Sequence, residues 1–166
     1  DSRNAFIDRQ IEMCNNAKAM VAKHQQVLMT VKKEVENAPA YGHYDVSMIG
    51  GKVVSTPEHY KSKEDTKGKL NEVLFMTYNK DVLYYSSKEE GTQKGKDIII
   101  VKKLPDGEWG LPQNIGAPVN TIYDEDAPFL HPDGKTLYFS SNGHNSMGGY
   151  DIFRSEFIEE EWPKTG

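Results

Sequence analysis

Residues 123–155 read YDEDAPFLHPDGKTLYFSSNGHNSMGGYDIFRS, and this stretch contains three apolar runs separated by residues that favour turns. In the tetrapeptide 132–135 (PDGK), Pro presets φ for a tight turn and Gly134 is free to adopt a positive φ. Residues 136–140 and 150–155 are predicted to be paired strands, joined by a loop whose Asn142-Gly143 and Gly148-Gly149 pairs allow positive φ. The stretch therefore predicts a three-stranded meander, to which residues 160–162 could add a fourth strand.

This stretch has a partial copy further upstream in the same chain. The matching positions share an offset of 54 residues, or 53 at the last of them: 83–87 (LYYSS) with 137–141 (LYFSS), Gly95 with Gly149, Asp97 with Asp151, and Trp109 with Trp162. A weaker match pairs residues 49–56 with 115–121. The chain therefore carries about two copies of one unit.

A unit of roughly 40 to 50 residues with four short strands has the period of a β-propeller blade. One blade is a small twisted sheet that becomes stable when neighbouring blades stack against both of its faces. Two blades cannot close a ring of about four to eight. We therefore expect the sequence to be part of a longer protein, or its remaining blades to be absent from this chain.

The pattern divides the chain into four segments. Residues 1–37 are predicted to be helical, and residues 38–72 form a connector that holds a first strand and a charged, exposed loop at 61–71. Residues 73–121 are the first blade with its linker. Residues 122–166 are the second, truncated blade. The strands expected in the first blade are 73–78, 82–86, 97–102 and 108–110.

In the helical segment, apolar residues recur every three or four positions and form one stripe: Ile7, Ile11, Cys14, Val21, Leu28, Val31 and Val35. One long helix and two shorter helices broken at Asn15-Asn16 both fit this pattern. Residues 27–36 are rich enough in β-branched side chains to be either helical or extended. Cys14 lies on the stripe and is predicted to be a buried thiol.

The second unit carries a resemblance to a known family. Residues 126–129 (DAPF), 132–141 (PDGKTLYFSS) and 147–153 (MGGYDIF) resemble the TolB-type, WD-repeat-like propeller repeat of Bacteroidota envelope proteins. In those proteins a tetratricopeptide region precedes the propeller and an OmpA-like peptidoglycan-binding domain often follows it. Residues 109–121 are similar to the linker between blades, and residues 11–17 to the last helix before the propeller. The first unit departs from the pattern, with YNKD at 78–81 in place of PDGK.

The resemblance implies a fold and a function. The fold would be mainly β, a partial β-propeller of about two four-stranded antiparallel blades preceded by an α-helical segment. The function would be that of a non-enzymatic scaffold for protein–protein interaction at the periplasmic side of the outer membrane, as in type IX secretion or gliding machinery. Its partners would be other envelope proteins, and peptidoglycan would be bound only through an OmpA-like domain, of which residues 1–166 contain no segment.

Two alternatives stay open at this point. The chain could belong to an enzyme or a glycan-binding propeller whose active residues lie in blades beyond residues 1–166. It could also be a subunit whose propeller is completed by another chain.

Composition argues against two classes of function. The formal net charge of -5 argues against a nucleic-acid-binding protein, which needs a concentrated basic face. The apolar runs fall far short of the roughly 18 residues that a membrane-spanning helix requires. One cysteine leaves no basis for an internal disulfide or a cysteine-based zinc site.

Asp124, Glu125 and Asp126 form the most notable acidic cluster, and three carboxylates could hold a hard cation such as Ca²⁺. EF-hand-like spacing does not accompany them, so the favoured interpretation is that Asp126 caps the strand entry and the other two are solvated. Asp133 is expected to stabilise its own turn through an Asx hydrogen bond. Asp97 and Asp151 are expected to accept hydrogen bonds from loop amides.

The sequence predicts no catalytic residue, no cofactor and no metal ligand set. The histidines are scattered without the spacing of zinc ligands, and no Gly-x-Ser-x-Gly elbow or phosphate-binding loop is present. The two tryptophans are predicted to cover the seam between blades. The residues expected to define the repeat are structural: Gly95, Asp97, Trp109, Asp133, Gly134, Gly148, Gly149, Asp151 and Trp162.

Overall fold

A computed structural model describes residues 2–23, 50–68, 73–91 and 94–157. The fold is mainly β, with an N-terminal helix α1 (Ser2–Ala22) and a short helix α2 (Lys63–Gly68). The first sheet has five strands in sequential order: β1 (Lys52–Ser55), β2 (Val73–Met76), β3 (Val82–Lys88), β4 (Lys96–Lys102) and β5 (Gln113–Asn114). The second sheet has three: β6 (Glu125–Leu130), β7 (Thr136–Ser141) and β8 (Asp151–Glu156).

The sequence repeat extends to the pairing of the strands. Every neighbouring pair is antiparallel, so residues 125–156 form the predicted three-stranded meander. Ser87 pairs with Asp97 in the first sheet, and Ser141 pairs with Asp151 in the second, at the same offset of 54 residues. The register of β3 with β4 is therefore repeated by β7 with β8.

The first sheet is covered on both of its faces. Its front face, which packs against the second sheet, carries Phe75, Tyr84 and Ile98. Its back face carries a separate buried cluster formed by Leu74, Leu83, Tyr85 and Val101. Because β3 and β4 bury residues on both sides, they are nearly continuous apolar runs in sequence.

The second sheet uses the opposite face for this contact. Leu137 and Phe139 join the front-face cluster of the first sheet. These two residues are the 54-residue counterparts of Leu83 and Tyr85, which lie on the back face of the first sheet. The front of one unit thus packs on the back of the next.

The front face of the second sheet is open among the described residues. Ile98, in the first sheet, has no exposed surface, whereas its counterpart Ile152 is 81% exposed. Arg154 and Glu156, on the same face, form an exposed ion pair at 3.4 Å. The burial of β8 alternates accordingly, while that of β4 does not.

The hairpin turn of the first unit has the geometry of the PDGK turn without its sequence. Thr77 N donates to Val82 O at 3.0 Å, and His131 N donates to Thr136 O at 2.8 Å. The residue with positive φ is Lys80 (φ 58°) in the first turn and Gly134 (φ 70°) in the second. Asn79, which as an Asn could adopt a left-handed conformation in the first turn, is not among the residues with positive φ.

Two expectations for the strands and loops of the first unit are wrong. Residues 108–110 form a single bridge, Lys103 with Trp109, and the strand added to β4 is Gln113–Asn114 instead. The turn at Gly107 leads residues 108–110 back along the end of β4, where they form only this one bridge. The charged segment 61–71 is not simply an exposed loop, because its first part forms α2 and buries Asp65.

The predicted apolar stripe of α1 is also not buried. Ile7, Ile11 and Val21 are exposed, and so is Cys14, so the prediction of a buried thiol is wrong. The helix is held by polar contacts on another side: the Arg9 guanidinium lies 3.9 Å from the Tyr123 ring centroid. Of the two alternatives for this segment, α1 is continuous through residues 15–16. None of the helices in the described part of the chain has the length and apolarity needed to cross a membrane.

Replacing Lys80 with Gly should raise the free energy of unfolding by about 1 kcal/mol, because an L-residue is strained at positive φ. Replacing Gly134 with Ala should lower it by a similar amount. Urea denaturation measures both changes. Lys135→Gly, at a position without positive φ, is the matched control and should destabilise the protein. Destabilisation by Lys80→Gly would contradict the equivalence of the two turns.

Candidate functional site

The acidic triplet 124–126 does not converge on one point. Each of its three carboxylates has its own set of protein donors. Among the described residues, no group of three or more His, Cys, Asp and Glu side chains is placed to hold a metal ion. The triplet is instead a joint between the linker, the second sheet and the loop that follows β7.

Glu125 occupies the centre of this joint and has no exposed surface. Its Oε2 accepts from Thr121 N at 2.8 Å, and its Oε1 accepts from Thr121 Oγ1 at 2.7 Å and from Ser141 Oγ at 2.8 Å. The expectation that Glu125 is solvated is therefore wrong. A buried carboxylate is stable here because three donors replace the water that it has lost.

His144 lies beside this carboxylate, with Nε2 3.8 Å from Glu125 Oε1. Its Nε2 donates to Val119 O at 2.8 Å, since a carbonyl can only accept. The imidazole also packs against the rings of Phe139 and Phe153 at centroid distances of 5.5 and 5.1 Å. The loop after β7 is thereby fixed to the linker.

Asp65 plays the corresponding part in the first unit. It is also buried, and its Oδ2 accepts from Ser87 Oγ at 2.6 Å, where Ser87 is the counterpart of Ser141. Its Oδ1 accepts from Lys88 N at 3.1 Å. Ser62 N donates to Asp65 Oδ2 at 3.0 Å, so this carboxylate also closes its own turn. In each unit, a serine at or next to the end of β3 or β7 is thus bound to a buried carboxylate.

The outer two carboxylates of the triplet join neighbouring segments. Asp124 accepts from Lys96 N at 2.9 Å and from the Asn142 side-chain amide at 2.9 Å. Asp126 is paired with the Lys96 ammonium and accepts from Ala127 N at 2.8 Å. Ala127 has φ 49° and lies within a bulge of β6, so Asp126 shapes the strand rather than its entry.

Asp97 and Asp151 accept hydrogen bonds at corresponding strand starts. Asp97 accepts from the Asn114 side chain at 2.9 Å, and its pKa is raised mainly by burial. Asp151 accepts from Met147 N at 2.6 Å. Asp97 therefore holds the linker, and Asp151 holds the loop before β8.

Asp133 closes the second hairpin turn. Its Oδ1 accepts from Lys135 N and Thr136 N, both at 2.8 Å, which is the Asx arrangement. These backbone hydrogen bonds hold the pKa of Asp133 well below its usual value. Its role is confined to the turn that Gly134 completes.

The glycines of the repeat differ in what surrounds them. A Cβ at Gly95 would lie 2.1 Å from the carbonyl of Tyr123, so only Gly fits against this linker. A Cβ at its counterpart Gly149 would meet no atom within 4 Å. In the loop after β7, positive φ occurs at His144, Asn145 and Gly148. Gly143, which the sequence predicted to allow a positive φ, does not adopt one. Gly143 is required for space, because a Cβ there would lie 2.7 Å from Thr121 Oγ1.

Trp109 packs partly buried against the back-face cluster, away from the contact between the two described sheets. Lys103 Nζ lies 5.8 Å from its ring centroid. Trp162 and residues 24–49, which include the segment 27–36, lie outside the described residues.

A concave site lies between the two hairpin turns, where the two units meet. This cleft has a volume of about 380 Å³. Its lining comes from β3, from the end of β6, from both turns and from Gly50: Thr77, Tyr78, Asn79, Asp81, Val82, Tyr84, Leu130, His131, Pro132 and Gly134. The sequence predicted neither this cleft nor the buried Asp65. The serine repeated at positions 87 and 141 is the one signal that could have indicated a partner for Asp65.

Comparison of the chain with models of known protein families, with curated proteins and with solved structures found no match.

Replacing Ser141 with Ala should lower the free energy of unfolding by about 2–3 kcal/mol, because Glu125 and the buried Gly143 N–H both lose a partner. Ser140→Ala, at the adjacent position where the hydroxyl donates to Asp126 O at 3.1 Å, is the matched control. It should cost about 1 kcal/mol or less. Equal losses in denaturant titrations would show that the buried carboxylate does not depend on Ser141.

Proposed function

We propose that this chain is a non-enzymatic scaffold of the TolB-like propeller type, associated with the periplasmic side of a bacterial outer membrane. Its stacked sheets would hold loops in fixed positions for other envelope proteins to bind. Type IX secretion and gliding machinery are assemblies in which the resembling proteins occur. The proposal rests on the sequence resemblance and on one structural observation, the directional stacking of the two units.

The stacking supports the proposal because it does not close on itself. The front face of the first unit contacts the back face of the second, so the contact uses two different surfaces. A contact between different surfaces can be repeated by each further unit until a ring closes. Propellers are built in this way.

The exposed front face of the second unit has the properties expected of a further contact surface. Ile152 and Gly149 are exposed or open, whereas their counterparts Ile98 and Gly95 are covered by the second unit and its linker. Full burial of an Ile side chain contributes about 1.5–3 kcal/mol. A third unit, supplied by the same polypeptide or by another chain, would gain this contribution.

The loop 142–149 is suited to display. It is fixed at its base, where Arg9 Nη2 donates to Asn142 O at 2.8 Å and Ser146 Oγ donates to the same carbonyl at 3.0 Å. Beyond Ser146, Met147 is exposed, and Tyr150 follows at the start of β8. Met and Tyr are enriched in protein interfaces. A rigid base with exposed side chains of this kind lowers the entropy lost when a partner binds.

The carboxylates near this loop also fit a scaffold. The carboxylates of Glu125, Asp124 and Asp151 accept hydrogen bonds from the linker and the loop, so their contacts are structural. The rigidity of the loop depends on these contacts.

Replacing Ile98 with Asp should prevent folding or lower the free energy of unfolding by more than about 3 kcal/mol, because a charge would enter the seam. Ile152→Asp should leave the stability of residues 1–166 within about 0.5 kcal/mol of the parent. It should also reduce self-association in sedimentation velocity experiments, because the open front face loses its apolar centre. If Ile152→Asp destabilises the chain as strongly as Ile98→Asp, the face is not open and the directional stack is wrong.

The scaffold function is tested by site-specific photo-crosslinking in the source organism. A crosslinker at Met147 should form adducts with a protein that fractionates with the outer membrane. The same crosslinker at Leu111, which is also exposed but lies in the linker, is the control and should form few adducts. Fractionation of the protein with the cytoplasm, or equal adducts from both sites, would contradict the proposal.

A further inference from the structure

Tyr84 contributes a polar group to the cleft between the two hairpin turns. It lines the cleft and is only 4% exposed, because its ring lies in the front-face cluster. Among the described residues, no group forms a hydrogen bond with its hydroxyl. The hydroxyl can therefore bond to a ligand in the cleft.

This hydroxyl is a donor at neutral pH. Burial, together with the nearby Asp81 carboxylate, raises the pKa of Tyr84 to about 12. The group therefore stays protonated and can both donate and accept a hydrogen bond.

The polar side of the cleft presents several donors and acceptors close together. Asn79 Nδ2 donates to Asp81 Oδ2 at 2.5 Å, and Thr77 Oγ1 donates to Asp81 Oδ1 at 3.1 Å. The Asn79 carbonyl and the remaining lone pairs of Asp81 are available for a ligand. Neighbouring hydroxyls of a sugar ring, which both donate and accept, match such a pair.

The rest of the cleft is aromatic and apolar. Tyr78 is 82% exposed at the edge of the cleft, and Leu130 and Pro132 line the side formed by the second unit. The face of an aromatic ring carries negative charge density and attracts the weakly positive C–H groups of a pyranose. An exposed Tyr beside an Asn–Asp pair therefore offers both kinds of contact that a sugar uses.

We propose that this cleft binds a neutral saccharide of one or two sugar units, stacked on Tyr78 and hydrogen-bonded to Tyr84, Asn79 and Asp81. The volume of about 380 Å³ lies within the range of small-ligand pockets, which is about 300–1,000 Å³. The cleft lies between the two described units, so the site requires no further unit.

The charges around the cleft favour a neutral ligand over a cationic one. An ammonium group could also contact Asp81 and the tyrosine rings. However, the two turns and the adjoining end of β4 carry three lysines against two aspartates: Lys80, Lys102 and Lys135 against Asp81 and Asp133. Lys102 pairs with Val82, which lines the cleft. These charges disfavour a lysine or arginine side chain as the occupant.

The test is saturation-transfer difference NMR on the full chain with glucose, N-acetylglucosamine, cellobiose and chitobiose, and with lysine amide as the cationic probe. At least one saccharide should bind with a Kd on the order of 1 mM or tighter, as expected of a small open site. Tyr84→Phe should weaken binding about tenfold, because it removes one hydrogen bond and keeps the ring. Tyr78→Ala should weaken binding by a similar factor.

Two matched variants serve as controls. Tyr85→Phe removes the hydroxyl of the adjacent tyrosine on the back face, and Tyr150→Ala removes another exposed tyrosine outside the cleft. Both should leave the affinity unchanged, and circular dichroism should show that all four variants are folded. Absence of saccharide binding, binding that survives both cleft variants, or preferential binding of lysine amide would each overturn the proposal.

Discussion

The contact between the front face of the first sheet and the back face of the second is the interaction on which the rest of the structure depends. It gathers Phe75, Tyr84 and Ile98 against Leu137 and Phe139, with Val119 of the linker in the same cluster. Each fully buried side chain of this size contributes about 1.5–3 kcal/mol. Neither sheet could provide a second layer for itself, because a single sheet leaves one face in water. The cleft, the linker and the loop after β7 all take their positions from this contact.

The buried carboxylates fix the segments that flank each sheet on the ends of its strands. Apolar packing has little directionality, but Glu125 and Asp65 must find donors when they are removed from water. Glu125 finds them on Thr121 and Ser141, so it ties the linker to the end of β7. Asp65 similarly ties α2 to the end of β3 through Ser87. The serine is repeated, whereas the carboxylate comes from a different element and a different distance along the chain in each unit.

Features with a local cause were predictable from the sequence. The PDGK turn, the meander of residues 125–156 and the duplication follow from turn residues and from alternation within a few positions. Features that depend on distant partners were not: Asp65 lies in a charged segment that appears solvated until Ser87 is placed beside it. The side of α1 that contacts the body follows Arg9 and Tyr123 rather than the apolar stripe, because Ile7, Ile11 and Val21 stay exposed in the part of the chain that the structure describes. Ile98 and Ile152 occupy equivalent positions, and only the neighbouring sheet decides which is buried.

The repeat also separates residues that serve the fold from those that form the cleft. Tyr84, whose ring belongs to the core, is matched by Tyr138 in the second unit. Tyr78 and Asp81, which lie in the first turn, are matched by Pro132 and Lys135. If a third unit stacked on the second, the new seam would therefore repeat the buried tyrosine without the exposed ring and the carboxylate. The cleft and the loop 142–149 lie at opposite ends of the strands, because successive connections in a meander alternate between the two ends of the sheet. A saccharide at one end and a protein partner at the other could consequently bind at the same time, with the seam between the sheets as their common support.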